Sequence, residues 1–233
     1  MEHKDYTAPA IVMAFILIIL ITNTVTPTIK ISDAVTASAT LLAAFLGAWL
    51  AYRLQDNVRE KNERNAHVSA ANKALFTAFQ QVNSLRLFQM DFIDPHRGDP
   101  GIFISMSPIM KEDHKDIRYD FESLNFLLNT KHKQIVLDLF IEQQRFEAAI
   151  KAINYRSEIH IQQVQPALTL AGIKEEVDYP AEAFVKALGP LLFKTLQRQT
   201  EQVVYHVDRT VKSLEEIKNK MRVIFLELFP DNN

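Results

Sequence analysis

The side chains best suited to chemistry in this chain crowd one stretch: Asp94, His96, Arg97 and Asp99, with Asp113, His114 and Asp116 shortly after. Imidazoles and carboxylates together are the donor set of a divalent metal site or of general acid–base hydrolysis. Their spacing fits no metal-ligand pattern. The interleaved Pro95, Gly98, Pro100 and Gly101 make the same residue types the ordinary vocabulary of a solvated turn. The sequence holds no glycine-rich phosphate loop, no His-Glu-x-x-His, no Gly-x-Ser-x-Gly and no Asp-rich calcium loop. The absence of cysteine removes disulfides, thiolate nucleophiles, zinc–thiolate sites and iron–sulfur clusters, and fits a reducing compartment. His67, His132, His160 and His206 fall on helical stretches among Asn, Gln, Lys and Glu, where a solvated or core-edge imidazole is the ordinary case. A formal net charge of −2 lacks the basic excess of a domain built to grip phosphate backbones. The expectation is a protein with no catalytic residue, metal, cofactor or small-molecule substrate, and not an enzyme.

The elements that would carry any site divide sharply by composition. Tyr6 to Ile29 and Ala34 to Tyr52 contain no charged residue, whereas everything from Arg53 on is dense in Lys, Arg, Asp and Glu. A bilayer core about 30 Å thick takes about 20 apolar residues in a helix, and no backbone group can stay unpaired in lipid. The reading is a transmembrane hairpin over residues 1–52, with spans at about 8–26 and 33–52. Pro27 closes the first helix, and Ser32-Asp33 offers a cap and a negative charge to the start of the second. Lys30 is the only basic residue in the connection, while Arg53, Arg59, Lys61 and Arg64 crowd the exit of the second span. By the positive-inside rule these set the topology: a multi-pass membrane protein with both termini cytoplasmic. Trp49 and Tyr52 lie where amphipathic rings anchor a span at the headgroups. Ala39, Ala43, Gly47 and Ala51 recur at four-residue spacing beside Thr36 and Thr40. This small face is read as helix packing within the hairpin, with homo-oligomerisation or a threonine-lined pore as the alternatives.

Residues 53–233 read as a cytoplasmic helical domain. No Pro or Gly occurs between Tyr52 and Pro95, and Leu54, Val58, Val68, Ala71, Leu75, Ala78, Val82 and Leu85 recur at three- and four-residue steps. The second span is therefore expected to run on as one long helix toward Met90. Residues 91–107 form an irregular loop, after which Ser107-Pro108 is expected to restart a helix. A further helix carries Ile135, Leu139, Phe146, Ile150 and Ile153 and is expected to end before Pro166, and Gly189-Pro190 should break the segment that begins at Pro180. Leu196, Thr200, Val203, Val207, Thr210, Leu214, Ile217, Met221, Ile224 and Leu228 alternate by four and three, a heptad seam over about 191–228. It suits either a coiled-coil partner or, as favoured here, antiparallel packing inside an internal bundle. The fold class is an all-α membrane protein.

The two-span layout, running through Ala51-Tyr52-Arg53-Leu54-Gln55-Asp56-Asn57-Val58-Arg59-Glu60-Lys61 into a small helical domain, resembles the two-transmembrane effectors of bacterial retron antiphage systems. That resemblance implies a toxin acting on the lipid bilayer of the inner membrane. It would be held silent by a reverse transcriptase with its RNA–DNA product (msDNA) and released in abortive infection. No functional residue carries over, because the resemblance holds no catalytic motif. A membrane-tethered sensor or scaffold without toxic activity is the alternative, and a hydrolase using Asp94 to Asp116 ranks last.

Overall fold

The computed structural model describes residues 31–111, 113–174 and 179–230, and all of its regular structure is helical. The expected first span and the hairpin connection, with Pro27 and Lys30, lie outside the described residues. The chain forms two compact units, Met1–Arg64 and Asn65–Asn233. The expected border at Tyr52 is where lipid should give way to water, and the compact units divide later along the same helix.

That helix, α1, runs over Ile31–Phe88. In the first unit it begins with an 18-residue stretch of mean hydropathy 1.6, none of it buried, and it is the one helix among the described residues long and apolar enough to cross a membrane. Leu41, Leu42, Phe45, Leu46, Trp49 and Leu50 are all exposed. A soluble helix would cover at least one side of such a run.

The second unit is a bundle of three long helices: Asn65–Phe88 of α1, α3 (Gln134–Ile159) and α5 (Ala181–Leu228). A short helix, α2 (Ile102–Ser105), lies between the first two, and α4 (Gln165–Leu170) precedes α5. Its core joins Ala70, Ala71, Ala74, Ala78, Val82 and Leu85 of α1, Ile135, Leu139 and Phe146 of α3, and Val203, Val207, Leu214 and Met221 of α5. Small alanines on α1 let its neighbours approach closely, and each fully buried Leu, Ile or Phe contributes about 2 kcal/mol. Register follows from the polar pairs. Phe79 meets Lys218 and Gln89 meets Asp208, while Asp138 meets Lys220 and Glu142 meets Ser213. Numbers rise on α1 and α3 as they fall on α5, so α5 runs antiparallel to both. The heptad seam is thus covered from within the chain: Leu196 through Ile224 are buried, and only Leu228 is half-exposed.

A buried polar layer crosses the bundle. Gln81 Nε2 donates to Gln143 Oε1 at 2.9 Å, and the Ser213 hydroxyl donates to Glu142 at 2.6 Å. Paired polar groups of this kind disfavour slipped registers, because any slip leaves them buried without partners.

Three expectations need correction. Ser107-Pro108 does not restart a helix: its cap signal is followed by Lys111 to Asp116, a run without an apolar face to bury, and the next helical residues are the 3-10 turn Asn125–Asn129. The stretch 91–107 is not wholly irregular, since it holds the end of a π turn (Gln89–Ile93), a 3-10 turn (Asp94–His96) and α2. Nor does helix end before Pro166. A second π turn, His160–Val164, hands over to α4, and this local widening of the helix lies next to Pro166, which lacks an N–H to donate. Gly189, at φ 72° and ψ 158°, breaks α5 as expected.

Candidate functional site

A recess in the bundle unit opens between the loop that follows α1 and the N-terminal half of α5. Its cleft encloses about 590 Å³, with Ile93, Ile102 and Phe103 on one side and Gln197, Thr200, Glu201, Val204 and Tyr205 on the other. Positions 197, 201, 204 and 205 share one face of α5 beside the buried seam, because helical residues three and four apart stack on one side.

Ion pairing holds the loop wall. Arg97 reaches Asp208 on α5 through two parallel bonds of 2.9 Å and donates Nε to Asp94 at 2.9 Å. Gln89, in the π turn, donates to the same Asp208 at 2.7 Å. The hydrogen bond from Arg97 holds the Asp208 carboxyl below its usual range, and the two carboxylates raise the Arg97 guanidinium further above its own. Gly98 turns the chain at φ 87°, a conformation that side chains disfavour. Asp99 then accepts the Gly101 N–H at 2.7 Å and the Ser105 hydroxyl at 3.1 Å, which closes the single turn of α2. Phe103 seats edge-on against Phe193 at 4.9 Å in a satellite core with Ile159, Val164, Leu188 and Leu196.

Behind that wall lies Arg156 of α3, only 1% exposed. It donates to the carbonyl oxygens of Phe103 (3.2 Å) and Met106 and to the Thr200 hydroxyl oxygen at 3.3 Å, and its Nη1 has no partner. Among the described residues no carboxylate pairs with it, and burial lowers its pKa to about 10, so it stays charged at neutral pH. One turn later His160 is buried, its Nδ1 without a partner. Burial and then the Arg156 charge push its pKa down to about 4. The core-edge reading of the histidines therefore fails at His160. His67 stacks on Phe126 at 4.3 Å and His132 lies 3.1 Å from Glu227. Arg156 was not singled out from the sequence, and His160 was read there only as a solvated or core-edge imidazole. The signal was there, since residues 146, 149, 153, 156 and 160 continue one core stripe of α3 into the π turn.

Sequence-nominated residues fall as follows. Asp94 and Asp99 are engaged within the loop, Asp113 pairs with Lys115 at 2.8 Å, and the His114 ring meets Phe146 at 5.8 Å. The described residues bring no three His, Asp or Glu side chains into metal-binding range of one another. Ala39, Ala43, Gly47 and Ala51 are all exposed, and a Cβ added at Gly47 meets nothing within 4 Å. The Thr36 and Thr40 hydroxyls bond back to the Ser32 and Thr36 carbonyls at 2.8 and 2.9 Å, so both are satisfied within their own helix. Arg53 stacks over Trp49 at 5.4 Å, Arg59 pairs with Asp56 (3.2 Å) and Glu63 (3.6 Å), and Lys61 and Arg64 are exposed.

Fold and cleft together define an all-helical chain with an N-terminal membrane-length apolar helix and a bundle that presents a walled recess. No family model matches the sequence, and comparison with curated proteins and with solved structures gives no significant match.

Proposed function

We propose that this chain is a membrane-perturbing effector of the inner membrane, restrained by a partner that covers its bundle, as the resemblance to retron effectors implies. The supporting observation is α1 itself. One helix supplies an uncovered apolar stretch from Leu41 to Leu50 and, from Ala70 to Phe88, a wall of the bundle core. The bundle's polar groups support binding over bond-making: Arg97, Asp208 and Asp99 are engaged in holding the loop. In this reading both spans insert with both termini cytoplasmic. The small face around Gly47 packs helices in lipid, and a reverse transcriptase with its msDNA supplies the restraint.

The test is expression of the chain in bacteria without partners, with membrane potential and growth as readouts. Wild type should depolarise the cells. Gly47→Leu should depolarise them less at equal membrane abundance, since added bulk at a packed lipid-embedded face costs about 1 kcal/mol per contact. Reporter fusions after Tyr52 and at Asn233 should read cytoplasmic. Inserted, unrestrained wild type that leaves potential and growth unchanged refutes the toxin and leaves a membrane-tethered scaffold.

A further inference from the structure

The lining of the cleft between the loop and α5 carries two carboxylates, Asp99 and Glu201, against one cation, Arg97. Arg97, the cation on its wall, is shared between Asp94 and Asp208. Asp99 receives only neutral donors, and Glu201 is exposed and makes no ion pair among the described residues. Arg156 lies behind the wall with its guanidinium directed to two carbonyls and Thr200, and Arg209 lies over the Tyr205 ring at 5.6 Å. The remaining surface is apolar or aromatic: Ile93, Ile102, Phe103, Val204 and Tyr205. A recess of this kind suits a group with an apolar stem and a cationic head. The Tyr205 ring is taken by the chain's own Arg209, which also donates to the Tyr205 hydroxyl, so an incoming stem would lie along Ile102, Phe103 and Val204.

We propose that this cleft receives an arginine or lysine side chain from a protein partner, with Glu201 pairing the cationic head and Phe103 and Val204 lining the stem. Its recess of about 590 Å³ falls in the size range of sites that enclose a ligand group. Nucleic acid is disfavoured here, because unneutralised carboxylates repel phosphate. The assignment rests on the partner-restrained reading and specifies it: the surface at Glu201 meets the protein component, and any RNA–DNA contact lies elsewhere.

The experiment uses the full chain in lipid nanodiscs and ligand-observed NMR. The probes are N-acetyl-arginine methylamide, its lysine counterpart, the uncharged citrulline isostere and a short single-stranded DNA. The arginine and lysine probes should bind saturably. Citrulline should bind about fivefold more weakly, and Glu201→Gln should weaken the arginine probe by a similar factor, the scale of one exposed ion pair. Glu201 is exposed, so Glu201→Gln should keep the helical circular dichroism of wild type. Citrulline binding as tightly as arginine, an unchanged arginine affinity in Glu201→Gln, or displacement of the arginine probe by DNA would each overturn the assignment. Probe binding with no depolarisation by the unrestrained chain would remove the toxin reading and leave the cleft assignment standing. Depolarisation without probe binding would do the reverse.

Discussion

Replacing Arg156 by methionine sets two large effects against each other. Methionine keeps most of the buried hydrocarbon and removes the guanidinium. The substitution loses three hydrogen bonds, to the Phe103 and Met106 carbonyls and to Thr200, each worth about 1.5–3 kcal/mol with a charged donor. It also removes a buried cation that has no carboxylate beside it, whose desolvation costs several kcal/mol. These oppose each other, so the global stability of Arg156→Met should stay within about 2 kcal/mol of wild type. Locally nothing offsets the loss. The turn Ile102–Ser105 is tied to α3 through those two carbonyls, and its own ladder is short: Ser105 N–H to Gly101 and Met106 N–H to Ile102. Hydrogen exchange on the full chain in nanodiscs should show the amides of Ile104, Ser105 and Met106 exchanging about tenfold faster, the equivalent of about 1.4 kcal/mol. Amides in the core of α3, such as Phe146, should keep their protection. Unchanged exchange at 104–106 in a folded Arg156→Met protein would refute the tether. A global loss above about 4 kcal/mol would refute the cancellation.

Two further outcomes follow from other residues. The folded-state pKa of His160 is lowered to about 4 from an ordinary value of 6.5, so between those values the unfolded chain binds the proton and the folded bundle does not. Its contribution is full above pH 6.5 and lost as pH falls toward 4. The thermal midpoint should drop across that window, and His160→Gln should flatten the drop; an identical slope in the variant would contradict it. Gly189→Ala should lower the thermal stability of the bundle by about 1–3 kcal/mol, because φ 72° with ψ 158° belongs to a region open essentially to glycine alone; an unchanged midpoint would mean the break relaxes freely.

What the sequence revealed and what it hid divide along one line. The seam from Leu196 to Ile224, the run of α1 toward Met90 and the break at Gly189-Pro190 were legible, because each is a periodic or backbone signal contained within one segment. The cap-like Ser107-Pro108 misled because a capping residue starts a helix only where an apolar face follows, and Lys111 to Asp116 offers none. The cleft was invisible for a different reason. Its walls come from residues about a hundred positions apart, and its supports, Arg97 to Asp208 and Arg156 to Met106, are pairings that no local pattern encodes. Arg156 was hidden by its type. An arginine on a core stripe reads as a surface residue until the chain turns two carbonyls toward it.

The two supports of the loop differ in strength, and that difference orders how the cleft can yield to a partner. The Arg97–Asp208 pair lies at the rim with both side chains more than a third exposed, where water screens it to about 1 kcal/mol or less. The Arg156 tether lies beneath the floor, out of water, where losing a donor leaves buried carbonyls unpaired. A ligand shifts a conformational equilibrium only by its differential affinity for the two states, so weak binding at Glu201 suffices to move the rim and not the floor. A cationic side chain held by Glu201 would enter beside the screened Arg97–Asp208 pair, so residues 94–98 would yield first while Phe103 stays seated against Phe193. Restraint by a partner would then act through the loop rim on α5, with the bundle core unchanged.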